Sequence, residues 1–196
     1  MTATARLAHP LDRDDEHVKA AREAETRVYD HYGLDADEHI VDVPALETRL
    51  RVVEVGSGPP VVLLPGGIGN GVVWSPLLPQ IEGHTVYVVD RPGGGLSDGI
   101  EYRDLPLREV AVATMDAVVA GLDLQTVPVV GNSMGGLFAL RFTLARPERV
   151  SALGLLGCPA VYPGTSAPRP MRLLSVPGLG PWLIERVMQP STVEDA

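Results

Sequence analysis

The sequence predicts an α/β fold, a mostly parallel sheet with helices on both faces, and three observations carry that prediction. Apolar runs without alternation, such as Val61–Leu64, Thr85–Val89 and Val150–Leu156, read as strands buried on both faces, the mark of a parallel sheet. Segments with apolar residues spaced three and four apart lie between them, so strands and helices alternate. One strand, beginning at Val127, turns straight back into a helix through Gly131-Asn132-Ser133-Met134-Gly135.

In chain order, residues 1–38 form an N-terminal extension with a loose lead-in and one helix. Val18, Ala21, Ala24, Val28 and Tyr32 fall on one face of that helix, Asp14 can cap its start, and Gly33 ends it. The core is expected over residues 39–157. It opens with two short strands, Ile40–Val43 and Leu50–Val55, joined by a polar turn at Pro44–Thr48. Gly56-Ser57-Gly58-Pro59-Pro60 is a hard turn before the buried strand Val61–Leu64. A flexible loop, Pro65–Gly71, leads to a helix predicted from about Val72 to Ile81. The strand Thr85–Val89 runs into a glycine-rich loop, Asp90–Asp98, and Pro106 begins a helix with Val112, Met115, Val119 and Leu122 on one face. The helix after Ser133 stops at Arg146-Pro147, where proline cannot continue it, and Val150–Leu156 is read as one more buried strand. Residues 158–196, punctuated by proline between short apolar pieces, read as the beginning of a lid.

Composition sets limits on function. A chain of 196 residues, 45% hydrophobic, suits one soluble domain with a sizeable core. A net charge of −9 argues against nucleic acid and anionic membranes as partners. Lys19 is the only lysine, so the cations sit mostly on arginine forks. The single cysteine, Cys158, excludes an internal disulfide and a multi-cysteine metal site, and neither a metal nor a cofactor is expected. No basic-then-apolar run opens the chain and no apolar stretch approaches the ~20 residues that span a bilayer, so a cytoplasmic protein is expected. Oligomeric state has no signal in the sequence.

The chemistry concentrates at Ser133. A strand folding directly into a helix leaves no room for side chains beside the turn, and Gly131 and Gly135 stand at those two positions. The serine between them is held in a strained conformation with its hydroxyl projecting from the sheet, the arrangement of a nucleophile. The glycines at 93–95 invite a nucleotide-binding reading. They lack the Lys-Ser/Thr ending of a phosphate loop, and no helix starts directly behind them.

Three motifs in succession, Pro65-Gly66-Gly67, Asp90-Arg91-Pro92-Gly93-Gly94-Gly95-Leu96-Ser97 and Gly131-Asn132-Ser133-Met134-Gly135, make the chain resemble the α/β-hydrolase family from about Ile40 onward. The elbow looks most like that of lid-bearing esterases and of carbon–carbon bond hydrolases acting on ring-cleavage products. Haloalkane dehalogenases and epoxide hydrolases of the family carry aspartate at the nucleophile position, and Ser133 argues against both. The resemblance implies acyl transfer to water with Ser133 as nucleophile and the backbone N–H groups of Gly67 and Met134 as the oxyanion hole. It also implies an apolar pocket for a small apolar substrate near Ile68, Trp74, Val161 and the Met171–Leu174 piece, residues for which core packing is an equal account.

The chain departs from the family pattern twice. Pro65 stands where the oxyanion loop usually opens with histidine. More seriously, the family order is serine, acid, histidine, whereas His9, His17, His31, His39 and His84 all precede Ser133. The acids after the serine, Glu148, Glu185, Glu194 and Asp195, do not directly follow a buried strand. The expectation is a chain that stops inside the lid, with the triad histidine and acid beyond it. A non-catalytic binding protein on the same fold, or an inactive remnant, is the alternative.

Overall fold

The computed structural model describes residues 10–67, 69–102, 105–158, 172, 173, 176 and 178–187. The chain divides into two compact units, Met1–Cys158 and Pro159–Ala196, and the helix of the expected N-terminal extension is part of the first. That unit runs α1 (Glu16–His31), β1 (Ala36–Val43), β2 (Thr48–Gly56), β3 (Pro60–Leu64), β4 (Thr85–Val89), α2 (Leu107–Gly121), β5 (Val127–Asn132), α3 (Met134–Ala145) and β6 (Val150–Leu156). In the second unit, α4 (Leu179–Val187) carries an exposed Trp182 under the Arg186 guanidinium, 5.4 Å from the ring centre. Among the described residues no helix is long and apolar enough to cross a membrane.

The six strands form one sheet in the order β1-β2-β4-β3-β5-β6. β1 pairs with β2 and β2 with β4 antiparallel, and the remaining neighbours are parallel. Because successive side chains point to opposite faces, each central strand feeds two cores. Val62 and Leu64 pack with Val110, Met115, Phe138 and Phe142 of α2 and α3. Leu63 faces the other way, with Tyr29 of α1, Trp74, Val86 and Val88. Pro128 sits inside a central strand although it has no N–H to give. A register irregularity at Val127/Pro128, where Pro128 pairs with Ala152 and Ser151 is skipped, accommodates it.

Several elements differ from the expectation. The helix predicted from Val72 to Ile81 is two short 3-10 turns, Gly71–Trp74 and Leu78–Gln80. Pro76 and Pro79 remove donors that an α-helix needs, and the hydrogen bonds close after three residues, as in Leu77 N to Trp74 O and Gln80 N to Leu77 O. Asp15, not Asp14, caps α1, accepting from the amides of His17 and Val18. The inward face of α1 centres on Glu25 and Tyr29, while Ala21, Ala24 and Tyr32 are exposed. Glu25 displaces the apolar stripe because a buried arginine, Arg51, needs its carboxylate. Last, β6 is not buried. It lies at the end of the sheet, and Ser151, Ala152 and Leu156 are exposed.

β3 and β5 are parallel neighbours whose connections leave toward opposite faces. The turns after β3 pack on the Tyr29 side and α3 after β5 packs on the Phe138 side. Such a divergence opens a crevice at the carboxyl ends of the strands, where ligands bind in open α/β sheets.

Candidate active site

Both sides of that crevice carry residues singled out by the sequence. Ser133 lies between β5 and α3, at the N-cap of the helix, with φ 48° and ψ −111°. Such a conformation costs a non-glycine residue about 1–3 kcal/mol. Its N–H donates to Leu156 O of β6 at 2.8 Å, and Asn132 Nδ2 donates to the same carbonyl at 3.1 Å. Backbone closes in on the turn from both sides. A Cβ on Gly131 would lie 2.5 Å from Gly136 Cα, and one on Gly135 would lie 2.5 Å from Pro65 O.

The loop after β3 rests directly on this elbow. A Cβ on Gly66 would meet Asn132 Oδ1 at 2.7 Å and Ser133 Cβ at 3.6 Å, and one on Gly67 would lie 3.9 Å from Met134 Cβ. The loop is fixed from beneath by Arg91. Its Nε donates to Pro65 O at 3.2 Å, and its Nη2 donates to Gly66 O and to Gly67 O, the latter at 3.0 Å. A trans peptide points its C=O and N–H in opposite directions. With Gly66 O held on Arg91, the Gly67 N–H is directed away from the guanidinium. The guanidinium also lies over the Phe138 ring, 5.5 Å from its centre. Burial pulls Arg91 below its ordinary pKa, the nearby Tyr102 and Asp90 opposing this.

The far end of the loop is held by a second set of charges. Asp90 accepts from Gly71 N at 2.7 Å, Leu96 N at 3.1 Å and Arg51 Nη1 at 3.1 Å. Glu25 reaches in from α1 to Arg51 at 2.6 Å and to Asn70 Nδ2 at 2.7 Å. Burial raises the Glu25 pKa, with Asp90 and Glu38 adding to the effect and Arg51 opposing it.

No described histidine hydrogen-bonds Ser133. His17 and His31 are exposed on α1. His39 lies on β1 and pairs with Glu54 at 2.7 Å. Four strand spacings separate β1 from β5, about 19 Å at ~4.8 Å each. His84 precedes β4, at the opposite end of the parallel strands, and meets Glu82 O at 3.0 Å. Of the acids after the serine, Glu148 sits in the turn before β6.

A cavity of about 400 Å³ opens beside the elbow, lined by Gly67 and Met134 together with Arg91, Tyr102, Leu107 and Phe138 among others. Trp74, expected at the pocket, is not in this lining and is buried in the Tyr29 core. Ile68, Val161, His9, Glu194, Asp195, Met171 and Leu174 lie outside the described residues. Cys158 is buried, its Sγ 3.7 Å from Gly131 O, in the space that a side chain at Gly136 would need. Sequence reasoning missed Arg91 as a site residue. Its only signal was an arginine directly after the Asp90 that ends a buried strand.

Comparison with known proteins agrees with this fold. A family model described as the alpha/beta hydrolase fold matches residues 59–185. A 2-hydroxy-6-oxononadienedioate/2-hydroxy-6-oxononatrienedioate hydrolase of Cupriavidus pinatubonensis is 34% identical over 130 residues, covering 63% of this chain and 45% of that protein. A 2-hydroxy-6-oxo-2,4-heptadienoate hydrolase of Pseudomonas putida is 36% identical over 124 residues, covering 59% of this chain and 42% of that protein. Among solved structures, an epoxide hydrolase from an endophytic Streptomyces superposes with a TM-score of 0.65 at 30% identity, covering 77% of this chain and 49% of that one. The chain matches less than half the length of these curated relatives.

Proposed function

We propose, from the premise that the chain belongs to the α/β-hydrolase family, that Ser133 is the nucleophile of a hydrolase acting on a small ester or a carbon–carbon bond beside a carbonyl. Ser133 Oγ bonds to the carbonyl carbon, and the oxygen, now negative, is received by the N–H groups of Gly67 and Met134. The leaving group departs with a proton, and water then releases the acyl group. Donors preorganised in this way are worth ~3 kcal/mol of barrier each. The observation that carries the reading is the Ser133 conformation, φ 48° and ψ −111°, at the mouth of a strand-to-helix turn. The relatives named for 2-hydroxy-6-oxo acids favour a keto acid cleaved at a carbon–carbon bond over a simple ester. The aspartate expected of epoxide-opening relatives is replaced here by serine.

The proton of Ser133 goes to a base outside the described residues, since none of the described histidines is bonded to it. The 196-residue chain is therefore expected to hydrolyse a p-nitrophenyl ester only weakly, at the ~10³–10⁴-fold over water that an oxyanion hole and binding provide without a complete triad. Ser133→Ala should abolish even that. Residual hydrolysis unchanged by Ser133→Ala would refute the nucleophile. Fast, Ser133-dependent turnover would place the base within residues 1–196. That no histidine among the described residues hydrogen-bonds Ser133 also favours a second reading, a binding protein on a hydrolase fold, for which ligand binding without any Ser133-dependent turnover would speak.

A further inference from the structure

Asn70 stands at the N-cap of the 3-10 turn Gly71–Trp74, where an asparagine side chain ordinarily bonds to the turn's own amides, yet it makes no such bond. It reaches across the fold instead, and its Nδ2 donates to Glu25 Oε1 of α1 at 2.7 Å. Glu25 is 5% exposed, and its second oxygen lies 2.6 Å from Arg51 Nη1. The same nitrogen donates to Asp90 at 3.1 Å, and Asp90 accepts from Gly71 N at 2.7 Å. One guanidinium nitrogen therefore lies between the two carboxylates that hold the end of the loop. Glu25 holds it by the Asn70 side chain and Asp90 by the Gly71 backbone. The loop then closes on itself, since a Cβ on Gly69 would lie 3.9 Å from Gly66 O. That oxygen belongs to the same rigid peptide unit as the Gly67 N–H. A shift at Asn70 thus passes through its neighbour Gly69 to the Gly67 N–H.

We propose that Asn70 and Glu25 are a positioning pair, through which the helix of the N-terminal extension sets the aim of the Gly67 N–H at the elbow. Arg91 braces the near end of the loop and the pair holds the far end. The role of the Gly67 N–H as an oxyanion donor rests on the hydrolase reading, whereas the clamp on the loop does not. Misplacing a reacting geometry by 1 Å can cost about 10²-fold in rate, so a pair acting at one remove should be worth about tenfold.

The test makes donor and acceptor trade places. Asn70→Asp sets a second carboxylate against Glu25, and like charges at that distance repel. Adding Glu25→Gln relieves this, because the carboxamide turns its oxygen to Arg51 and its N–H to the carboxylate at position 70. In the 196-residue chain, Asn70→Asp should lower the Ser133-dependent kcat for a p-nitrophenyl ester about tenfold. KM should stay within about twofold, the mark of an interaction realised in the transition state. The double variant should recover most of the loss. Amide exchange of the peptide bearing Gly71 and Val73 should follow the same order, faster in Asn70→Asp and slowed again in the double variant. Unchanged kcat in Asn70→Asp, or a folded double variant as slow as the single one, would overturn the pair. If Asn70→Asp fails to fold, Asn70→Ala removes the donor without adding charge and should give the same lower kcat and faster exchange. Wild-type behaviour of Asn70→Ala in both measurements would equally sink the proposal. Failure of the hydrolase reading looks different. Wild-type turnover would then be independent of Ser133, while exchange sped by Asn70→Asp and slowed by Glu25→Gln would still support the clamp; exchange unmoved by either would overturn both.

Discussion

Gly136 and Cys158 compete for one space beneath the elbow. A Cβ at Gly136 would collide with Cys158 Sγ, but it would stand 3.4 Å from Cys158 Cβ. Gly136→Ala alone should therefore destabilise the protein by about 1–3 kcal/mol through overpacking. Cys158→Ala should recover part of that loss, because the sulfur is the nearest obstacle while Gly131 O, 3.0 Å away, stays in place. Thermal melts of the two single variants and the double variant give the coupling, and strictly additive losses would contradict this packing. Ser133 makes a second case. Glycine tolerates its positive φ, so Ser133→Gly should be more stable than Ser133→Ala by about 1 kcal/mol. Equal midpoints would mean that the turn stores no strain. The position of Ser133 was legible because its signal is local, five residues with glycine at both flanks. Arg91 was not, since the carbonyls it braces are 24 to 26 residues distant in sequence and offer no pattern.

Among the elements, the strands were read from unbroken apolar runs, and their pairing placed them side by side as a parallel sheet requires. α1 was read on the wrong face because an apolar count cannot anticipate a buried carboxylate. Glu25 has a measurable consequence. It is faced by Arg51 of β2, Glu38 of β1, Asp90 after β4, Asn70 of the loop and its own helix's Tyr29. Its folded pKa is raised, so the folded state holds more protons than the unfolded one between the ordinary glutamate value and the raised one. Stability should fall as pH rises through that window and level off above it. Melts taken from about pH 4 upward should show this slope, and Glu25→Gln should flatten it. A slope that survives the substitution would assign it to another group.

At the scale of the whole molecule, the mixed sheet with helices on both faces was foreseen, whereas the apolar run of β6 reads as a strand buried on both faces and the structure exposes it. Its residues are as apolar as those of a buried strand, and composition alone does not say which strand ends a sheet. No described strand pairs with the outer side of β6, and from Ala152 to Leu156 it has neither charge nor proline. Natural edges are blunted by such residues. The chain on its own is therefore expected to self-associate, and Ala152→Lys on the exposed mid-strand should reduce that association. Size-exclusion chromatography decides it, and a monodisperse wild-type monomer would overturn the expectation.

The bond from Ser133 N–H to Leu156 O has a kinetic meaning as well. The amide of the proposed nucleophile is protected by the last residue of the outermost strand, not by its own helix. Hydrogen exchange at that single amide therefore reports on the opening of β6. If β6 detaches as a local unit, Ser133 will exchange faster than the interior amides of β3 and β5. The elbow would then lose one of its fastenings while the centre of the sheet was still intact.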